Sequence, residues 1–171
     1  MVDNVYKKFL ASAPLPEREY RTLEFYHSQF PKLYRLTKDF EDQTLTLESD
    51  APRNPGESVL FDAVSMEITE PGENEGGESI LSATVGALGG EIHDAVKSIT
   101  GDGFFESIQV VYRKFYSGDL SGPKVVQYLT ASSVNFESYE QARIVAEDDD
   151  LANKSSGEIY TLERFPGLVG I

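Results

Sequence analysis

The stretch I-Q-V-V-Y-R-K-F-Y, residues 108–116, decides the fold class. Apolar and polar side chains alternate along most of it with a period of two, which indicates a β-strand rather than a helix. A polar segment that contains glycine and proline follows at 117–123, and an apolar run over 125–131 comes next. These two runs and the segment between them predict a β-hairpin.

Further strands are predicted on both sides of this hairpin. The same alternation predicts strands within 19–26, 33–37, 44–47, 58–69, 80–85 and 133–146. The linking segments 28–31 and 39–42 have the length of hairpin loops, so we expect the first three strands to pair in succession. Within 58–69 the apolar parity shifts near Ala63, which predicts either a β-bulge or a strand buried on both faces.

One internal segment, Glu91–Thr100, has helical periodicity. Its apolar residues recur at i, i+3, i+4 and i+7 and share one face: Ile92, Ala95, Val96 and Ile99. Gly101 is typical of the residue that follows a helix. The strands and this helix together predict a mainly β fold, a β-sandwich or barrel with one α-helix packed on its side.

The N-terminal residues carry a different pattern. Asp3–Ala11 predicts a short amphipathic helix, which Pro14 and Pro16 end. Because so short a helix is unstable alone, we expect it to dock on its own domain or on a partner. The chain is therefore divided into an N-terminal helical arm, residues 1–16, and a single β-sandwich domain, residues 17–171.

Composition excludes several classes of function. Fifteen lysines and arginines stand against 29 aspartates and glutamates, which gives a formal net charge of −14. Phosphate contacts need a basic patch, so we expect no binding to nucleic acid or to anionic membranes. The chain has no cysteine, which excludes disulfides and thiolate chemistry. Its first ten residues resemble neither a signal peptide nor a membrane span, so we expect an intracellular or virion protein.

Motifs for catalysis are missing from the sequence. It contains no nucleophile elbow, no metalloprotease helix motif and no Walker loop. His27 and His93 are the only histidines, and we interpret both as structural. Asp94 follows His93, but adjacent helical residues do not face each other, so we expect no orienting pair. We therefore predict no enzyme, no catalytic residue, no cofactor and no metal site.

Two polar segments are interpreted as loops. Gly86–Gly90 lies between a strand and the helix but lacks phosphate-loop spacing, so a turn is favoured over an anion nest. An acidic C-terminal segment carries oxygen-bearing residues without the spacing of a calcium loop. These residues are Asp148–Asp150, Asn153, Ser155 and Glu158. We interpret this segment, like the acidic stretch 71–78, as a solvated loop.

Tyrosines are the remaining candidates for binding. A row of Tyr112, Tyr116 and Tyr128 would stack sugars if it were exposed. Cross-strand packing in the core or at a subunit seam is the other interpretation, and it is the one we favour.

The order of several motifs resembles an uncharacterised family of small bacteriophage tail proteins, encoded near the tape measure and tail-tip genes. The motifs are T-L-E-F-Y-H at 22–27, P-K-L-Y at 31–34, V-L-F-D-A at 59–63, the helix at 91–99 and F-P-G-L at 165–168. The resemblance runs from about Glu19 to Leu168. Members of this family are similar to minor tail and distal tail proteins.

This resemblance implies a structural function. Such proteins have a tail-tube-like β-sandwich and assemble into a ring, usually a hexamer, at the distal end of the tail. The ring joins the tail tube to the tip complex or baseplate, so the implied partners are further copies, the tail tube protein, the tape measure protein and the tail-tip or baseplate hub proteins. DNA would pass through the channel without binding. The implied location is the virion, after synthesis in the host cytoplasm. The alternative is a carbohydrate-binding β-sandwich module of a tail tip, with a role in receptor binding.

Overall fold

A computed structural model describes residues 18–70, 80–86 and 88–148. The strands are β1 (Glu19–Tyr26), β2 (Tyr34–Thr37), β3 (Gln43–Thr46), β4 (Ser58–Ala63), β5 (Met66–Thr69), β6 (Ile80–Val85), β7 (Gln109–Tyr116), β8 (Val125–Ser138) and β9 (Gln141–Asp148). One α-helix, α1 (Gly89–Lys97), and a 3-10 helix (Gly101–Phe105) lie between β6 and β7. The prediction of a mainly β fold with one α-helix is confirmed within these residues. The predicted N-terminal arm and the loop at 71–78 lie outside them, as do residues 149–157 of the acidic loop predicted at 147–157. The first two residues of that loop, Glu147 and Asp148, belong to β9 instead.

All nine strands belong to one hydrogen-bonded sheet, in the order β3–β4–β2–β1–β7–β8–β9–β6–β5. The pairs are antiparallel except β2 with β4, which is parallel. β4 and β5 stand near opposite ends of this order, yet only Val64 and Ser65 separate them in the chain. The sheet is therefore rolled, and its two halves face each other as in a sandwich or barrel.

Apolar side chains from both halves fill the interior of the rolled sheet. Because successive strand residues point to opposite faces, the strands that line the interior contribute every second residue. Examples are Leu23 of β1, Val110 of β7, Ile144 of β9 and Leu81 of β6. α1 adds Ile92 and Ala95 to the same cluster, as predicted. Burial of each large side chain contributes about 1.5–3 kcal/mol.

A smaller apolar cluster lies on the other face of the sheet. Phe61 and Phe115 meet there edge to face, with ring centroids 6.1 Å apart. This cluster explains the shift of parity in 58–69, because Phe61 packs into it whereas Met66 and Ile68 pack into the interior. The run therefore divides into two strands at Val64–Ser65.

The predicted hairpin between the second and third strands is wrong. β3 pairs with β4, and β4 lies between β3 and β2, with Leu36 opposite Asp62. The hairpin between β1 and β2 is confirmed. The length of the loop predicted that β3 would lie beside β2. In the structure β4, which follows β3 in the chain, lies beside β2 instead.

The helix differs from its prediction at both ends. α1 begins at Gly89 and ends at Lys97, whereas Glu91–Thr100 was expected. Ile99 is buried although it lies beyond the last helical turn. Gly101 has a φ of +56°, as a residue after a helix often does, but here it begins the 3-10 helix.

Candidate assembly surfaces

A network of ion pairs fastens the loop after β3 to the outer face of the sheet. Its centre is Arg113 of β7 and Glu24 of β1, both 0% exposed, with Nη1 3.3 Å from Oε2. Glu48 of the loop accepts hydrogen bonds from Arg113, of which the two shortest come from Nε and from Nη2 at 2.8 Å each. Arg35 and Arg53 lie 3.1 and 3.3 Å from Glu24. Three cations thus surround one buried carboxylate.

Further contacts fix this loop. The guanidinium of Arg53 lies over the ring of Tyr26, 3.5 Å from its centroid. Tyr128 donates a hydrogen bond to Oε1 of Glu48 at 3.0 Å. Burial raises the pKa of Glu48, but the hydrogen bonds and charge of Arg113 outweigh it, so the pKa lies below its ordinary value. Burial and the neighbouring Glu48 raise the pKa of Tyr128 to about 12. The network therefore holds the loop by paired charges at neutral pH.

A second network closes the interior at the end of β5. Glu70 accepts a hydrogen bond from the hydroxyl of Tyr112 at 3.1 Å and lies 3.3 Å from Nη1 of Arg21. Lys114 contacts its other oxygen. Burial raises the pKa of Glu70. The hydrogen bond and the charge of Lys114 lower it by more, so the pKa lies below its ordinary value. Burial, followed by the charge of Glu70, raises the pKa of Tyr112.

His27 contacts backbone groups through both nitrogens of its ring. Its ring is fully buried at the end of β1. Nδ1 lies 3.1 Å from the amide N–H of Gln29, and Nε2 lies 3.1 Å from the carbonyl of Gly103. With these partners Nδ1 accepts a hydrogen bond and Nε2 donates one. The ring thereby links β1 to the 3-10 helix.

The expectation that Asp94 does not contact His93 is wrong. Oδ1 of Asp94 lies 3.2 Å from Nδ1 of His93, and Oδ2 accepts a hydrogen bond from Tyr139 at 3.0 Å. The ring of His93 packs edge-on against Phe136, with centroids 4.8 Å apart. The bonds from His93 and then Tyr139 lower the pKa of Asp94. Both side chains contact the β8–β9 hairpin, His93 through Phe136 and Asp94 through Tyr139. These contacts bring the two side chains together although adjacent helical residues point in different directions.

The first two residues of α1 are glycines, which allow close packing against the same hairpin. A Cβ at Gly89 would overlap the backbone of Glu140, and a Cβ at Gly90 would lie 2.7 Å from the ring of Tyr139. Gly89 and Gly90 therefore have a packing role, and the hairpin occupies the space beside them. The predicted turn over Gly86–Gly90 is wrong for its last two residues, because Gly89 and Gly90 belong to α1.

The predicted tyrosine row does not form an exposed surface. Tyr112 and Tyr116 are buried, as the core interpretation predicted. Tyr128 is 45% exposed and lies on the other face of the sheet from Tyr112, because its register partner is Val111. The three rings therefore do not form a stacking surface for sugars.

Exposed phenylalanines form two surfaces that sequence reasoning missed. Phe40 is 100% exposed, Phe104 is 73% exposed and Phe105 is 90% exposed. Their only sequence signal is an apolar residue amid polar loop residues, in D-F-E-D at 39–42 and G-D-G-F-F-E-S at 101–107. Single exposed apolar residues are common, so this signal alone indicates nothing.

The first surface is the Phe40 cleft. It encloses about 300 Å³ and is lined by Lys38, Asp39, Phe40, Val64, Ser65 and Met66. The buried residues Val64 and Met66 form its apolar floor. The amide of Lys38 donates to the carbonyl of Arg21 at 2.9 Å, which places the cleft near the beginning of β1.

The second surface is the Phe104–Phe105 patch, which lies at the other end of β1. Glu106, the next residue, accepts a hydrogen bond from the amide of Ser28 at 3.1 Å, just after β1 ends. The patch borders an apolar groove whose lining includes Val96, Ile99, Ile108, Ala131 and Val134. β1 has eight residues, so the cleft and the patch are separated by roughly 24 Å along the strand direction.

The family model for a domain of unknown function, DUF1833, matches residues 5–160. The chain belongs to the DUF1833 family. No curated protein matches the sequence.

Two further findings concern the described part of this DUF1833 chain. Among those residues, no group of three or more histidines, aspartates or glutamates is placed to hold a metal ion. Within the same residues, no helix has the length and apolar character needed to span a membrane.

Proposed function

We propose that this DUF1833 protein is a structural subunit of a bacteriophage tail and not an enzyme. It assembles into a ring, a hexamer, that joins the distal end of the tail tube to the tip complex or baseplate. The order of motifs that resembles small phage tail proteins supports this proposal, as does the rolled β-sheet with one helix at its side. Its partners are further copies of itself, the tail tube protein, the tape measure protein and the hub proteins of the tip or baseplate.

The observation that carries the proposal is the pair of exposed aromatic surfaces. Exposed apolar patches on a protein mark sites of interaction, and aromatic anchors dominate the energy of many interfaces. The Phe40 cleft and the Phe104–Phe105 patch lie at opposite ends of β1. A subunit with two separated contact surfaces can bind one neighbour on each side, as a ring requires.

The charge of the chain fits a channel that DNA crosses without binding. Each copy carries a formal charge of −14, which a hexamer multiplies sixfold. Like charges repel at subunit contacts, so much of this charge faces solvent on the outside of the ring and in its channel. Carboxylates in the channel would repel the phosphates of passing DNA.

One observation favours the sugar-binding alternative at a different place from the predicted tyrosine row. The half-exposed ring of Tyr128 borders a cleft of about 340 Å³ whose lining includes the polar residues Ser107, Gln109 and Thr130. An aromatic face beside hydrogen-bonding groups is a chemistry that suits a saccharide. Saccharide binding by the purified protein, lost in Tyr128→Ala, would favour this alternative.

The function is tested on phage particles made with and without this chain. We expect particles that lack it to have filled heads and incomplete tails, and purified complete tails to contain six copies by quantitative mass spectrometry. Complete, infectious tails without the chain would contradict the proposal.

A further inference from the structure

We propose that the Phe104–Phe105 patch of one copy packs into the Phe40 cleft of the next copy, so that subunits join head to tail. The inference rests on the proposed ring and names its contact surface. A contact between two different surfaces of the same chain repeats from copy to copy, and it closes into a ring when the rotation between neighbours allows.

The shapes of the two surfaces match. The patch presents two rings that are 73% and 90% exposed, whereas the cleft has a volume of about 300 Å³ and an apolar floor. A cavity of about 150 Å³ holds a benzene molecule, so the cleft has room for one phenyl ring. Phe40, fully exposed at the edge of the cleft, would then pack against the entering side chain.

The charges beside the two surfaces are complementary. Asp102 and Glu106 are exposed on either side of the Phe104–Phe105 patch. Lys38 is exposed and lines the cleft. Asp39 also lines the cleft, but its carboxylate already has partners, because it lies 4.0 Å from Arg18 and accepts hydrogen bonds from the amide of Phe40 and the side chain of Gln43. Glu41 and Asp42 are not among the lining residues. Docking would bring a lysine toward two carboxylates.

A contact between two patches, or between two clefts, is less favourable than a contact between a patch and a cleft. Patch against patch would bring the carboxylates of both copies together. Cleft against cleft would bring the exposed Lys38 of both copies together and would leave Phe104 and Phe105 in water. Such symmetric contacts also stop at a dimer, because each copy uses the same surface. The opposite placement of the two surfaces therefore favours a neighbour at each end.

The experiment compares Phe40→Asp and Phe105→Asp in the full chain. Both side chains are exposed, so both variants should keep the circular dichroism spectrum and melting temperature of the parent. Each should weaken self-association about 100-fold or more, because a carboxylate replaces an aromatic anchor. Leu60→Asp, at an exposed apolar residue of β4 outside both surfaces, is the matched control and should assemble like the parent.

Mixing the two variants distinguishes a head-to-tail contact from a symmetric one. Phe40→Asp keeps an intact patch and Phe105→Asp keeps an intact cleft, so an equimolar mixture should form a dimer by sedimentation velocity while each variant alone stays monomeric. A dimer of either variant alone, or a mixture that stays monomeric, would overturn the proposed contact.

The outcomes also separate this inference from the proposed function. If the parent forms rings and both variants form the same rings, the contact is wrong and the ring stands. If deletion of residues 1–14 abolishes assembly while both phenylalanine variants assemble normally, the N-terminal arm makes the contact and the inference is again overturned. If the head-to-tail contact holds but builds open filaments, the inference stands and the ring is contradicted.

Discussion

Arg113 donates two parallel hydrogen bonds of 2.8 Å each to Glu48, which lies 65 positions earlier in the chain. The guanidinium is fully buried and also contacts Glu24, which is buried as well. One arginine thus joins two strands of the sheet to the loop that covers them. Removal of Arg113 would leave Glu24 with Arg35 and Arg53, but it would take from Glu48 the cation that its carboxylate contacts.

Arg113→Met should therefore destabilise the fold strongly. Removal of one member of a buried ion pair costs about 3–5 kcal/mol, because the remaining charge stays out of water. Urea unfolding measures this difference. Lys32→Met is the control, because its ion pair with Glu91 is about half exposed on both sides, and it should change the free energy of unfolding by less than about 1 kcal/mol. Equal effects of the two substitutions would contradict the role given to Arg113.

The stability of the protein should fall in acid. The pKa values of Glu48 and Glu70 lie below the ordinary 4.5 in the folded chain. As pH falls, the unfolded chain binds these protons first, so their contribution is complete above about pH 4.5 and is lost as pH falls through the folded pKa values. Glu48→Gln should be less stable than the parent at about pH 7 but should lose less stability on acidification to about pH 3. A parental acid response in this variant would count against the pairing.

Gly89→Ala should destabilise the contact between α1 and the β8–β9 hairpin. Its Cβ would overlap the backbone of Glu140, which cannot move as a flexible side chain does. Overpacking of this kind costs about 1–3 kcal/mol and lowers the melting temperature. Gly122→Ala is the control, since a Cβ there meets nothing within 4 Å. If both variants melt with the parent, the close approach at Gly89 does not exist.

The sequence was sufficient where local periodicity decides the structure. The alternation over 108–116 predicted β7 and its two faces, and the 3.6-residue spacing predicted α1 with Ile92 and Ala95 inward. Period-two alternation follows directly from the geometry of a strand, so it survives in almost any sheet. The same alternation does not predict which strands become neighbours. The hairpin between β2 and β3 was predicted wrongly for this reason.

The candidate surfaces depend on contacts that no local pattern encodes. Arg113 reaches Glu24 across 89 residues, so neither residue type nor spacing predicts the pair. Phe104 and Phe105 would be expected in a core from their hydrophobicity, and only the tertiary structure leaves them exposed. The sequence indicated a turn at Gly89 and Gly90. The structure shows instead that a side chain at either position would overlap Tyr139 or Glu140 of the β8–β9 hairpin.

Salt should promote self-association. Every copy carries a formal charge of −14, so neighbouring subunits repel one another at low ionic strength. The screening length shortens from about 30 Å at 0.01 M salt to about 8 Å at 0.15 M, which relieves that repulsion. Sedimentation velocity across this range should show larger species as salt rises. Dissociation with rising salt would mean that attraction between opposite charges holds the subunits together.

Electron microscopy of the purified full chain in negative stain tests the proposed ring most directly. At moderate salt, where repulsion is screened, we predict closed rings of one uniform diameter with six subunits in class averages. A chain that stays monomeric across concentration and salt, or that forms only open filaments or irregular aggregates, would contradict the ring and the tail function built on it.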